Sequence, residues 1–238
     1  MHGLDTPQSD EDIRHITKQS IRDVISPFKN DDLKVQSASG EDVESWELRH
    51  FTKHLTQGNA TCYEVIKSPL YEKTELSEVI RSLMPLVYDP TKILYAHIGY
   101  AEAQLKRYIR PAVSDLMSDH AIWINDIWEY DKVKRIPKCI VAAYRVLAQG
   151  KQLLRYGDFQ AKVSDYSVPL HDKLMEIKTC GRYDYVLSRA GLTTVEQELE
   201  QEIHELKAVY SALDLELMNK KPQLDKIEDI LCEIYLGG

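Results

Sequence analysis

The stretch MHGLDTPQSDEDIRHIT (residues 1–17) decides how this chain is interpreted, because it joins closely spaced acidic residues to a short apolar segment. Asp10 and Asp12 are separated by a single residue, and the loosely alternating residues 12–17 follow directly. Alternation of this kind predicts a β-strand, in which residues two apart point to the same face. The two carboxylates are therefore predicted to converge beside the strand.

Paired carboxylates in this position favour a metal site. Two close carboxylates repel each other, and a divalent cation relieves that repulsion. Such oxygen ligands suit Mg²⁺ or Mn²⁺, with waters and nucleotide phosphates completing the coordination shell. A third carboxylate on a neighbouring strand would complete a two-metal site, and Asp42 in the run EDVESW (residues 41–46) is the best candidate. The competing interpretation of D-x-D near the start of an acidic chain is a solvated turn or a helix cap.

The composition is that of a globular protein, since 43% of the 238 residues are hydrophobic and 29% are charged. A net charge of −8 argues against general electrostatic binding of duplex nucleic acid, although a local basic groove is compatible with it. The four cysteines contain no C-x-x-C pair, which favours reduced thiols. The start does not resemble a signal peptide, and no apolar run approaches the ~20 residues that cross a bilayer. We therefore expect a soluble, cytoplasmic protein that does not enter a membrane.

Strand-like patterns are confined to the front of the chain. Short alternating runs cover residues 12–17, 33–37 and 42–46, and from about residue 45 the apolar residues recur at helical spacing. We predict an α+β fold. A small sheet-containing domain is expected over residues 1–88, followed by a mostly helical domain over residues 89–238.

Capping residues and helix breakers predict where the helices begin and end. The predicted starts are Ser45, Asp89-Pro90, residue 138, Pro169, the Thr193/Glu196 capping box and Pro222. The predicted ends are Gly58, Pro111 and Gly157. The helix after Thr193 carries its apolar residues along one seam, which suits packing within the chain or against a partner. A homo-oligomer is compatible with that seam.

The opening HGLDTPQSDEDIR (residues 2–14) resembles the G-L-x-T-P-x-S-D-x-D-x-R signature of the DNA-polymerase-β-like nucleotidyltransferases. It is most similar to the RlaP/YcgL-type branch of predicted nucleotidyltransferases. The similarity continues in order through DVESWELRHF (42–51), GNATCYEVIKSPLY (58–71), AAYRVLAQGKQLLRYG (142–157) and LMEIKTCG (174–181). Each block is short and weak evidence alone, but the occurrence of all of them in the same order over most of the chain is specific for this family.

The resemblance implies transfer of a nucleoside monophosphate from an NTP to a hydroxyl on RNA, on protein or on a small molecule. It assigns the catalytic and metal-binding acids to Asp10, Asp12 and Asp42, which would hold Mg²⁺ or Mn²⁺. Glu44 is a rival for the third acid, because it shares a strand face with Asp42. The residues implied to contact the nucleotide are Ser9, Lys134, Lys138 and Arg145.

The resemblance lacks one feature of the superfamily, a Gly-Ser pair upstream of the first acid that opens a phosphate-binding helix. One explanation is that the natural start lies upstream of Met1. The other is a shortened descendant whose triphosphate binding is weak. In that case the expected role is that of a catalytically inactive module that binds nucleotide or protein.

Two smaller groups of polar residues have competing interpretations. Glu47, His50 and His54 have the spacing of an E-x-x-H metal site, although a polar stripe facing solvent or nucleotide is favoured. Asn59 and Glu64 match family positions, but their simplest interpretation is a helix cap and a surface acid.

The basic run KVKRIPK (residues 132–138) is the main concentration of positive charge, with Lys106, Arg107 and Arg110 elsewhere. A solvated face is its default interpretation. The alternative is a groove for a triphosphate or for an RNA 3′ end, which would suit an otherwise acidic protein.

Overall fold

The computed structural model describes residues 3–4, 13–25, 43–69, 71–117, 127–179 and 189–237. The predicted site residues Ser9, Asp10, Asp12 and Asp42 lie outside these ranges, as does the predicted strand over residues 33–37. The side chain of Lys134 also lies outside the description.

A two-stranded parallel sheet forms the front of the described fold. Strand β1 is Ile13–Thr17 and strand β2 is Val43–Glu47, and the short helix α1 (Ile21–Val24) lies between them in the chain. The register aligns Ile13 with Val43 and Thr17 with Glu47. The predicted α+β class is confirmed, and the two strands begin one residue later than the alternation predicted.

The other described elements are helical. They are α2 (Leu48–Thr56), α3 (Ala60–Lys67), α4 (Glu75–Ser82), α5 (Pro90–Gln104), α6 (Arg110–Met117), α7 (Ile127–Tyr156), α8 (Val168–Thr179), α9 (Arg189–Ser211), α10 (Leu215–Met218) and α11 (Leu224–Leu236). A π-helical turn, Leu105–Ile109, joins α5 to α6. Short 3-10 turns cover Met84–Leu86 and Val163–Asp165.

Helix α2 is capped by Glu47, and the predicted cap at Ser45 is wrong. The Glu47 carboxylate accepts hydrogen bonds from the backbone N–H groups of Arg49 at 2.8 Å and His50 at 3.3 Å. These are donors that a helix start otherwise leaves unsatisfied. Ser45 is instead buried inside β2. Pairing with β1 extends that strand to Glu47, which delays the helix.

The helix after Asp89 starts as predicted but does not stop at Pro111. Asp89 caps α5 by accepting from the Lys92 N–H at 3.1 Å, and Pro90 occupies the first turn. The helix then widens into the π-helical turn and continues as α6 through Pro111. A proline lacks an N–H and its ring clashes with the carbonyl four residues earlier. The widened turn directly before Pro111 relieves that clash.

Two other predicted starts are too late. Helix α7 begins at Ile127 rather than at residue 138 and contains Pro137. Helix α9 begins at Arg189, so Thr193 lies inside the helix and the predicted capping box is wrong. In both cases the apolar periodicity identified the helix, but a local breaker or capping pattern was mistaken for its boundary.

The remaining predicted boundaries are confirmed to within two residues. Helix α8 begins beside Pro169, and α11 begins shortly after Pro222. Gly58 and Gly157 follow the ends of α2 and α7 with φ of +79° and +67°. This left-handed backbone is the usual way in which a glycine ends a helix.

One continuous hydrophobic core joins the front of the chain to the helices, and α5, α7 and α9 pack together at its centre. The seam predicted on α9 faces this core, with Val195, Leu199, Ile203 and Leu206 buried. That part of the seam is therefore covered within the chain. None of the helices in the described ranges combines the length and the apolarity needed to span a membrane.

The last helix returns to the sheet. Tyr235 on α11 donates a hydrogen bond to the buried carboxylate of Glu47. Nearby, the ammonium group of Lys18 donates to the Ile234 carbonyl at 2.6 Å. The domain boundary between residues 88 and 89 stays a prediction, and residues on both sides of it share these contacts.

Candidate functional site

The described residues on either side of positions 5–12, which include Asp10 and Asp12, are held in the fold. On one side Leu4 is buried, and its carbonyl accepts a hydrogen bond from the Lys178 ammonium group of α8 at 2.6 Å. On the other side Ile13 pairs with Val43 at the start of the sheet. Leu4 and Ile13, which flank positions 5–12, are thus both held by contacts with other parts of the chain.

Arg14 and Glu44 form an ion pair across the two strands, close to the predicted acids in sequence. They are partners in the sheet register. The Arg14 guanidinium also lies 5.7 Å from the ring centroid of Trp46. Glu44, the rival third acid, is thus already engaged by a cation.

Glu64 on α3 and Arg145 on α7 form a second, more buried ion pair, with side chains that are 9% and 17% exposed. Burial raises the pKa of Glu64, while the charges of Arg145 and Arg14 oppose that rise. Because Arg14 acts on Glu64, the buried pair adjoins the strand that follows the predicted acids. The interpretation of Glu64 as a surface acid is wrong. Its match to a family block was the only sequence signal that set it apart.

Asn59 has the capping role that its sequence position suggested. Its side-chain oxygen accepts from the Cys62 N–H at 3.2 Å and so begins α3. Burial raises the pKa of the Cys62 thiol, so that cysteine is an unreactive core group rather than a nucleophile.

Two tyrosines flank the Glu64–Arg145 pair. Burial raises the pKa of Tyr166 to about 12 and also raises the pKa of Tyr100. The charges of Arg145 and Glu64 act on both phenols. These side chains therefore contribute neutral rings and hydroxyl groups around the ion pair.

The comparison with known families decides the assignment. The family model described as "RlaP: RNA repair pathway DNA polymerase beta family" matches residues 1–233. The chain belongs to the RlaP family. The resemblance to polymerase-β-like nucleotidyltransferases is thereby confirmed over nearly the whole sequence. Neither a curated protein nor a solved structure matches the chain significantly.

Polymerase-β-like nucleotidyltransferases generally depend on a divalent metal. Within the described part of this RlaP family member, no group of three or more His, Cys, Asp or Glu side chains is arranged to hold one. The acids predicted to bind the metal lie outside that part, so their role stays a prediction.

The cations implied to bind nucleotide in this RlaP protein fall along α7. Arg145 lies at the buried ion pair, and Lys138 is exposed two turns earlier on the same face of the helix. Lys134 belongs to α7 by its backbone. The structure therefore places Arg145 in the buried ion pair and Lys138 on the exposed part of the same helical face, and their nucleotide contacts stay a prediction.

The possible E-x-x-H metal site does not assemble among the described residues. The Glu47 carboxylate is buried and is used by the start of α2 and by Tyr235. The Nε2 atoms of His50 and His54 lie 2.9 Å apart and interact with each other. Glu47 therefore has a structural role in the interior of the protein. The prediction that it belongs to a polar stripe facing solvent or nucleotide is wrong.

Proposed function

We propose that this RlaP family protein transfers a nucleoside monophosphate from a metal-bound NTP to a hydroxyl acceptor. The acceptor oxygen forms a bond to the α-phosphorus, and the bond from that phosphorus to the pyrophosphate oxygen breaks. Pyrophosphate leaves with the bonding electrons, and the hydroxyl proton passes to a carboxylate or to solvent. The family assignment supports the reaction class.

The observation that carries the proposal is the register of the parallel sheet. Asp12 and Asp42 each immediately precede the first pair of aligned residues, Ile13 and Val43. Extending this register by one residue would make the two acids neighbours. Asp10, two residues before Asp12, would then share their face.

Three carboxylates in this arrangement suit Mg²⁺ or Mn²⁺. When bound, the metals would neutralise triphosphate charge and favour ionisation of the acceptor hydroxyl. We assign Asp10 and Asp12 to the binding of both metals and Asp42 to the catalytic one. Asp42 is preferred over Glu44 because the carboxylate of Glu44 is engaged by Arg14.

The nucleotide is assigned to the α7 side of the site. A metal-bound triphosphate retains negative charge, which the guanidinium of Arg145 and the ammonium group of Lys138 complement. Glu64 orients Arg145 through their ion pair. Ser9 and Lys134 complete the proposed nucleotide contacts.

The test is transfer of radiolabel from α-labelled NTP to a mixed RNA pool or to the protein itself, with Mg²⁺ or Mn²⁺. Asp12→Asn and Asp42→Asn are each expected to reduce transfer at least about 100-fold, since each removes charge stabilisation from the reaction centre. Glu11→Gln and Glu41→Gln are the matched controls, because strand alternation puts these neighbours on the opposite face. Mn²⁺ binding by electron paramagnetic resonance gives a readout that does not depend on turnover.

Equal transfer by wild type and Asp12→Asn would overturn the proposal, as would an equal loss in Glu11→Gln. Metal-dependent NTP binding without any transfer would instead support the alternative, a catalytically inactive nucleotide-binding module.

A further inference from the structure

Two histidines on α2 direct the same ring nitrogen at each other. The Nε2 atoms of His50 and His54 lie 2.9 Å apart, and the ring centroids are separated by 4.3 Å with the ring planes at 64°. The two residues are four positions apart in the helix, so both side chains extend from the same face of α2. Each is half-buried and so keeps some contact with solvent. One turn of α2 therefore presents two nitrogen donors to the same point in space.

The contact between neutral rings requires that the two imidazoles differ in tautomer. One Nε2 then carries a hydrogen and donates it, and the other Nε2 accepts it with its lone pair. When both Nε2 atoms present lone pairs, these point into the space between the rings and repel each other. A metal ion placed in that space removes the repulsion and binds both nitrogens. Neutral imidazole is the commonest metal ligand in proteins, so the pair has the right donor chemistry for a metal site.

The distance between the two nitrogens indicates which kind of metal fits. Metal–nitrogen bonds to histidine are about 2.0–2.1 Å long. Two nitrogens 2.9 Å apart then make an angle of about 90° at a shared ion, whereas a tetrahedral ion requires a separation of about 3.3 Å. An angle near 90° belongs to square-planar and tetragonal coordination, which Cu²⁺ and Ni²⁺ adopt with nitrogen and oxygen ligands. Mg²⁺ is disfavoured here because it prefers oxygen ligands.

The helix that carries the pair is held in place by the fold. Glu47 caps its first turn and accepts a hydrogen bond from the His50 N–H at 3.3 Å. On another face of the helix, Leu48, Phe51 and Leu55 are fully buried in the core. The backbone under both imidazoles is therefore ordered before any metal arrives. Binding then restricts only the side chains, which is the condition for a preorganised site.

We propose that His50 and His54 bind one divalent late transition metal ion, Ni²⁺ or Cu²⁺, between their Nε2 atoms. The hydrogen on the donating ring moves to Nδ1 when the metal binds, so that both Nε2 lone pairs face the ion. The described residues supply no group of three or more ligands, and water is expected at the open coordination positions. The site uses none of the acids assigned to the proposed transferase, so the inference does not depend on that activity.

The experiment is a calorimetric titration of the tag-free protein with NiCl₂ in a buffer that contains excess Mg²⁺. Magnesium occupies carboxylate sites but does not compete for imidazole nitrogen. The test variants are His50→Gln and His54→Gln. A third variant, His54→Gln/Gln57→His, keeps the composition of the chain but separates the two histidines by about 10 Å along the helix. The control is His204→Gln, which removes an exposed imidazole from α9.

We expect wild type and His204→Gln to bind Ni²⁺ with equal affinity. The two test variants and the composition-matched variant should each bind at least about tenfold more weakly, because a second nitrogen no longer binds the same ion. Glutamine is a good helix former, so α2 is retained in every variant. Added Ni²⁺ should raise the thermal unfolding midpoint of wild type and His204→Gln but not that of the other variants, since the metal binds the folded helix.

Three results would overturn the inference. Equal Ni²⁺ affinity in wild type and His54→Gln would show that the metal binds elsewhere. Full affinity in His54→Gln/Gln57→His would show that the spacing of the two histidines is irrelevant. Absence of Ni²⁺ binding by wild type in excess Mg²⁺ would assign any binding seen without Mg²⁺ to carboxylates.

Discussion

Arg145 and Glu64 form a buried ion pair that joins α7 to α3, although the two residues are 81 positions apart in the sequence. Arg145 lies on α7 in the helical core, and Glu64 lies on α3, the second helix after strand β2. The pair therefore fixes the helix that carries the proposed nucleotide contacts relative to the strands that follow the proposed acids.

Removing the cation of this pair should be more harmful than neutralising the acid. Arg145→Met removes the ion-pair partner of the buried Glu64 carboxylate and is expected to lower the free energy of unfolding by about 3–5 kcal/mol. Glu64→Gln retains a hydrogen-bond acceptor and leaves the more exposed group charged, so its cost should be smaller. Urea unfolding of both variants measures the difference, and a larger loss in Glu64→Gln would contradict the prediction.

The same two positions form a double-mutant cycle. If they interact directly, Glu64→Gln/Arg145→Met should be less destabilised than the sum of the single variants by at least about 1 kcal/mol. Additive losses would mean that the two residues contribute independently.

The contact between Tyr235 and Glu47 should stabilise the whole fold. Tyr235→Phe removes the hydroxyl group that donates to this buried carboxylate. Among the described residues it is the only donor from α11 to Glu47. The expected cost is about 1.5–3 kcal/mol in unfolding free energy. Tyr95→Phe is the matched control, since that side chain is 69% exposed and should be neutral. Equal stabilities of the two variants would show that the contact contributes nothing.

The burial of His97 predicts that the folded protein is less stable in acid. It is fully buried, and its Nδ1–H donates to the Ile93 carbonyl at 2.7 Å. Burial lowers the pKa of His97 to about 4 from an ordinary value of 6.5. Below the higher value the unfolded chain binds a proton that the folded chain excludes. Stability should therefore fall as the pH drops from about 6.5 towards about 4.

The expected size of this effect is about 2 kcal/mol between pH 7.5 and pH 5. Denaturant unfolding at several pH values measures it in wild type and in His97→Leu. The difference between the two proteins isolates this residue from the other seven histidines. Parallel pH profiles would show that His97 does not titrate in this way, whatever the variant does to stability at neutral pH.

Gly58 and Gly157, whose φ angles are both positive, should differ in their tolerance of alanine. A Cβ at Gly58 would meet the backbone of Lys92 and Ile93 at 2.8–2.9 Å, whereas a Cβ at Gly157 has nothing within 4 Å. Gly157→Ala should cost only the left-handed backbone strain, about 1–2 kcal/mol. Gly58→Ala should cost clearly more, because α2 and α5 must move apart. Equal thermal unfolding midpoints would contradict this.

Much of the fold could be predicted because its determinants are local. Asp89-Pro90 and Asn59 cap helices through groups within three residues, and the α9 seam needs only helical periodicity. The prediction for Ser45 is wrong because β2 continues through it, paired with residues thirty positions earlier in β1. Pro111 was misread because a widened turn relieves the clash that normally ends a helix.

In the candidate site, too, only the features that depend on local sequence could be predicted. The spacing of Asp10, Asp12 and Asp42 and the family motif point to metal chemistry, which stays a prediction. The burial of Glu64 and its pairing with Arg145 depend on how distant helices pack, and no local pattern encodes that packing. Sequence analysis therefore proposes residues for the site, but the side chains that contact them could not be predicted from it.

The contact between Tyr235 and Glu47 also constrains how the protein is made. A ribosome releases Glu47 first, and 188 residues separate it from its partner. At about 5–20 residues per second, the intervening chain takes about 10–40 s to synthesise. During that interval the first strands are outside the ribosome without the helix that completes their environment. The hydrogen bond between Tyr235 and Glu47 therefore forms only after the end of α11 has left the exit tunnel.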